Sequence, residues 1–188
     1  MFGNKLNQAA EFHFNTIKPG ERILLVGGGT GKILENLPHH CHVTYIDSSS
    51  HMLRKAQKVN YDGDVDSIHD DIRSWRSQTS FDVIIFPFIL DLFEDTEIHA
   101  ILQHIISVMA PEGRMLVSDF YPTLKVSRLK NRILLRSTLL FFKVLTGHKL
   151  KDVPNIKDSI SAINLELTDD YDVIPGMVFA SVWTKPVY

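Results

Sequence analysis

The chain has 188 residues, 44% of them hydrophobic, and a net charge of −2. That length suits one domain with a sizeable core, and no apolar run approaches the ~20 residues that would span a bilayer. The N-terminus MFGNKLNQAAEFHF lacks a basic stretch leading into an apolar one, and Cys41 stands alone. Stable membrane insertion, a disulfide framework and a cysteine-based zinc site are therefore excluded, and the expected location is cytoplasmic.

Residues 4–15 are predicted as a short helix with Leu6, Ala9, Ala10 and Phe14 on its apolar face, ended by Lys18-Pro19-Gly20. A strand follows at 22–26 (RILLV), then a glycine-rich turn and a short helix over 31–37, stopped by Pro38. The second strand, 42–46 (HVTYI), runs into Asp47, and Ser48–Ser50 supply the N-cap of a helix over 50–59. Short strands are predicted at 65–68 and 81–86; the second, FDVIIF, is apolar enough to be covered on both faces. A helix over about 95–109 ends at Pro111-Glu112-Gly113, and a fifth strand covers 114–119 (RMLVSD). Residues 164–172 and 177–184 form a terminal hairpin about Val173–Gly176.

Short strands alternating with helices argue an α/β fold, with a doubly wound, mostly parallel sheet. The hairpin adds an antiparallel edge and brings the sheet to seven strands. With no repeat or linker, the chain reads as one domain over 1–188, with its core at 20–120.

Four glycines fall within five residues at the end of the first strand, in ILLVGGGTG. In a doubly wound sheet ligands bind beyond the carboxyl ends of the strands, so bare backbone here points to a ligand. The phosphate-binding loop fails, because Val26 and Ile33 stand where it needs glycine and Ser or Thr. The dinucleotide fingerprint fits Gly27 and Gly29 but meets Lys32 where its third glycine belongs. Asp47, 20 residues beyond Gly27, suits the ribose hydroxyls of any adenosine ligand.

ILLVGGGTG, YIDSSSHMLRKA, IHDDIRSW, FDVIIFPFILDLF and APEGRMLVSDF, in this order, resemble the successive motifs of the class I S-adenosylmethionine-dependent methyltransferases. The resemblance covers about residues 20–120 and implies a Rossmann-like fold with S-adenosylmethionine as cofactor and S-adenosylhomocysteine as product. It assigns Gly27, Gly28, Gly29, Thr30 and Gly31 to the methionyl and ribose portion, with the carboxylate received near the start of the following helix. Asp47, with Ser48 beside it, would bind the ribose. Met52 and Ile72 would pack on adenine, Asp71 would accept from its amino group, and Pro87 would face the methyl. The chain departs from the family at Leu25, where an acid is usual.

Methyl transfer needs alignment more than a dedicated base. Asp91 is the one catalytic candidate, against the alternative of a solvated helix cap near Glu94 and Asp95. Asp119, Tyr121 and His13 are further residues expected to reach the pocket. His39, His40 and His42 complete no metal-ligand pattern, so no metal is expected.

Between Phe120 and Lys151 the chain carries eight basic residues and no acid. Helices over 124–150 would suit a substrate lid, a homodimer interface, a membrane-surface contact or a solvated face. With a net charge of −2, nucleic acid is not expected as a partner. The resulting expectation is methyl transfer to a small molecule, with a nicotinamide-dependent oxidoreductase and a catalytically silent scaffold of the same fold as rivals.

Overall fold

The computed structural model describes residues 2–122 and 154–186. The basic segment 124–150 lies outside them, and so does the lid expected there. Among the described residues no helix is long and apolar enough to cross a membrane.

The sheet has seven strands: β1 (Arg22–Val26), β2 (His42–Asp47), β3 (Asp64–His69), β4 (Phe81–Pro87), β5 (Met109–Phe120), β6 (Glu166–Ile174) and β7 (Val178–Thr184). Their order is β3-β2-β1-β4-β5-β7-β6. The first five strands are parallel, and β7 runs antiparallel to both β5 and β6. Winding goes outward from β1 in both directions, so the switch point lies between β1 and β4.

Why RILLV and FDVIIF are apolar throughout follows from the two-residue alternation of a strand. Leu24, Val26, Ile84 and Phe86 enter the core beneath helix α3 (Asp95–Val108), which contributes Ile98, Ile101, Leu102 and Ile105. Ile23, Leu25, Val83 and Ile85 face the other way, against Leu34, Leu37 and Leu53 of helix α2 (Ser50–Ala56). Helix α1 (Phe2–Ala10) docks through Ala9, whose carbonyl accepts from Ser118 Oγ at 2.6 Å.

Several boundaries differ from the sequence reading. The helix expected over 4–15 stops at Ala10, and a single 3-10 turn follows at Phe14–Thr16. The helix expected over 31–37 is likewise only a 3-10 turn, Lys32–Asn36, because Gly31 in the left-handed region (φ 79°) and Pro38 leave no room for an α-helical run. The helix expected over 50–59 ends at Ala56. α3 ends at Val108, since Met109 pairs with Phe81 and extends β5 backwards past Pro111. Helix α4 (Ile156–Ser161), unforeseen in the sequence, buries Ile156 and Ile160 in the core shared with α3.

Candidate active site

A cleft of about 780 Å³ opens at the carboxyl ends of β1, β2, β3 and β4, and Leu6, Asn7, Ala10 and Glu11 form its opposite wall. Its floor is the loop Gly27–Thr30. Gly29 has φ +61°, and a Cβ built there would meet nothing within 4 Å, so its open side belongs to the cleft. Gly31 (φ +79°) answers to another need, since its Cβ would lie 2.5 Å from the Ala56 Cα. It lets α2 close on the loop and does not line the cleft.

The loop is held from beneath. Tyr45, wholly buried, donates its hydroxyl to the Gly29 carbonyl at 2.8 Å. Leu25 is wholly buried too, below Gly28, where its Cδ2 would lie 3.0 Å from an added Cβ. A carboxylate at position 25 would be desolvated there rather than presented to a ligand.

Asp47 ends β2 half-buried on the cleft wall. Burial raises its carboxyl above the usual range, opposed by hydrogen bonds from the Ser49 and Gly29 backbone. The Ser49 N–H donates to its Oδ1 at 2.8 Å. Ser48 lines the cleft beside it, and Ser49 Oγ caps α2 by accepting from the Met52 N–H at 3.4 Å, which brings Met52 to the same wall.

Asp71 and Ile72 line the cleft where β3 ends. The Asp71 carboxylate is already engaged by Arg73, whose Nε lies 3.0 Å from each of its oxygens. Arg73 also donates to Glu97 Oε1 at 2.7 Å and lies over the Phe93 ring at 5.7 Å. Past β4, Pro87, Phe88, Ile89, Leu92 and Phe93 make an apolar wall. Phe88 takes a positive φ of 57°, its N–H donating to the Ser118 carbonyl at 2.7 Å.

A glycine loop, an acid at the end of β2 and a ligand-sized cleft at the switch point lie where doubly wound α/β folds bind their ligands. Residues 23–113 match the family model of the methyltransferase domain. That match spans a little under half of the chain. No curated protein sequence matches it significantly. The whole fold is similar to the TehB-like SAM-dependent methyltransferase of Corynebacterium glutamicum, at TM-score 0.62 and 14% identity, covering 97% of this chain and 88% of that one. It is similar to the N-methyltransferase NodS of Bradyrhizobium japonicum WM9 in complex with S-adenosyl-L-homocysteine, at TM-score 0.66 and 15% identity, over 98% and 85% of the chains. The DhpI–SAH complex gives TM-score 0.68 and 18% identity over 99% and 87%. At such identities the likeness is one of fold.

The cleft brings together Gly27, Gly28, Gly29, Thr30, Asp47, Ser48, Met52, Asp71, Ile72 and Pro87. Asp91 lies elsewhere. It is neither a solvated cap nor a cleft residue: its side chain is 3% exposed and hydrogen-bonded to that of Asp119, which is wholly buried. Asp119 Oδ2 accepts from the backbone N–H of Leu90 at 3.1 Å and of Asp91 at 3.2 Å. Burial pushes Asp91 up to about 6, and burial with the Asp91 charge pushes Asp119 well above the carboxylate range. The pair fastens the segment that carries Phe88–Phe93.

His13 and Tyr121 also fall outside the cleft lining of the domain. His13 is buried beside Asp169 of the hairpin, with Nδ1 3.7 Å from its Oδ2, and burial lowers its ring below the usual range. Tyr121 packs on Phe179 and Lys157. What sequence reasoning missed is the wall formed by Asn7 and Glu11 with Lys32 near the loop. The predicted apolar face of the first helix, with Leu6 and Ala10 on it, was the available signal.

Proposed function

We propose that the protein transfers a methyl group from S-adenosylmethionine to a small-molecule acceptor in the cytoplasm. The observation that carries this reading is that Asp47 and the open side of Gly29 line one cleft. Asp47 accepts from the ribose hydroxyls, Met52 and Ile72 flank the adenine, and Asp71 lies toward its amino group. Gly29 and its neighbours let the rest of the ligand lie on the backbone. Bound S-adenosylmethionine supplies an electrophilic methyl on a sulfonium. The protein's part is alignment and exclusion of water, the first supplying roughly 7–11 kcal/mol. Pro87, Phe88 and Ile89 line the end beyond β4 with apolar surface suited to that exclusion.

The oxidoreductase reading meets a specific obstacle. A dinucleotide's pyrophosphate is received at the N-terminus of the helix after the glycine loop. Here a five-residue 3-10 turn, Lys32–Asn36, takes that helix's place. Calorimetric titration with S-adenosylhomocysteine, NADH and NADPH tests the choice. Binding of the first alone is expected, and transfer of radiolabelled methyl from S-adenosylmethionine into the small-molecule fraction of a cell extract should follow. Tight binding of NADH in its place would reject the proposal.

A further inference from the structure

Leu25 leaves open which group receives the ammonium of the ligand's amino-acid arm. We propose that Glu11 does, from the wall opposite the strands; this rests on the S-adenosylmethionine reading above. Asp47, Met52, Asp71 and Ile72 hold the nucleoside at the β2–β3 side of the cleft, so the amino-acid arm runs the other way, across the loop that ends β1. Among the described residues, the charged groups lining the cleft apart from those at the ends of β2 and β3 are Glu11 and Lys32.

Glu11 follows α1 directly and keeps its helical turn, its N–H donating to the Asn7 carbonyl at 3.0 Å. Its Oε1 accepts from Asn36 Nδ2 at 2.8 Å, and Asn36 closes the 3-10 turn that follows the glycine loop. The side chain is thus tethered to the turn that follows the loop. Its tether is a neutral amide, and among the described residues no cation forms an ion pair with it. Lys32, on the same turn, brings the opposite charge to the same end.

An α-amino acid arm carries an ammonium and a carboxylate on one carbon, so an acid and a base flanking the loop match it. They also do the work that a full helix N-terminus would otherwise share, because a single 3-10 turn provides little dipole. The arrangement moves the ammonium's partner from the strand to the N-terminal segment.

The test uses the full chain and two probes, S-adenosylhomocysteine and 5′-methylthioadenosine, which shares the nucleoside but lacks the amino-acid arm. Glu11→Gln keeps an acceptor for Asn36 and removes the charge. It should weaken S-adenosylhomocysteine binding about tenfold or more, the worth of a hydrogen bond between charged groups, and leave 5′-methylthioadenosine unchanged. Asn36→Ala, which removes only the tether, should keep most of the affinity for both. Equal weakening of both probes by Glu11→Gln would make Glu11 structural and overturn the proposal; so would no weakening of either. If the unaltered protein binds neither probe, the S-adenosylmethionine reading itself falls and takes this one with it.

Discussion

Tyr45 donates its phenolic hydroxyl to the carbonyl of Gly29 at 2.8 Å, from a position that no solvent reaches. Burial raises the phenol well above its usual range, which favours the protonated, donating form. The side chain that supports the cleft-facing glycine thus comes from the next strand. Tyr45→Phe keeps the ring and deletes one hydrogen bond, so it should cost about 1 kcal/mol of stability in urea unfolding. It should also weaken S-adenosylhomocysteine binding, since the loop loses its support. Unchanged affinity would mean that the loop holds its shape without Tyr45.

Two glycines of the loop should separate folding from binding. Gly29→Ala pays backbone strain of about 1–2 kcal/mol for its positive φ, but its methyl enters open cleft. This variant should fold, melt a few degrees lower and lose cofactor affinity. Gly31→Ala adds a collision with the Ala56 backbone to the same strain. It should lose at least about 2 kcal/mol of stability. Thermal melts by circular dichroism beside calorimetry would read both, and equal effects on folding from the two variants would contradict the assignment.

Asp47→Ala removes the carboxylate proposed to bind the ribose. The expected loss of affinity for S-adenosylhomocysteine is about 1.5–3 kcal/mol, the range for hydrogen bonds to a charged group. Asp47 also accepts the Ser49 N–H, so a modest fall in stability should accompany it. Normal affinity in calorimetry would remove Asp47 from the site.

The parallel strands were legible in the sequence because burial on both faces makes them apolar runs; RILLV and FDVIIF could be little else in an alternating chain. The hairpin was legible from its turn, where the Gly176 N–H now donates to the Asp172 carboxylate. Helix ends were less so. Pairing of Met109 with Phe81 depends on a strand distant in sequence, and no local pattern announces it. In the site, residues next to strand ends, such as Asp47 and Pro87, were readable because the fold class places strand ends at the cleft. Asp91 misled, since a carboxylate near Glu94 and Asp95 looks solvated until Asp119 is seen buried against it. Glu11 was harder to read: the apolar face of the first helix signals docking, but where Glu11 lands depends on how α1 returns over the sheet.

The Asp91–Asp119 pair should make stability depend on pH. Burial pushes Asp91 up to about 6 from an ordinary value of 3.8, its hydrogen bond with Asp119 acting the other way, and pushes Asp119 further up. When the chain unfolds, both carboxyls return to ordinary values. Between those values and the folded ones, the native state binds more protons than the unfolded state, so stability falls as pH rises. The contribution is complete below about pH 4 and is lost as pH passes through about 6 and beyond. His13 and His104 work in the opposite sense over much of the same window, because burial holds both rings below their usual value. The readout is therefore a difference between two proteins. Asp91→Asn keeps a hydrogen-bond partner for Asp119 and removes one of the two acids. Urea midpoints taken from about pH 4.5 to 7.5 should show the variant gaining stability relative to the unaltered protein as pH rises. The segment fastened by this pair carries Phe88 and Leu92 of the cleft wall, so affinity for S-adenosylhomocysteine should follow the same trend. A difference curve that stays flat would show that burial does not raise the Asp91 carboxyl in the native fold.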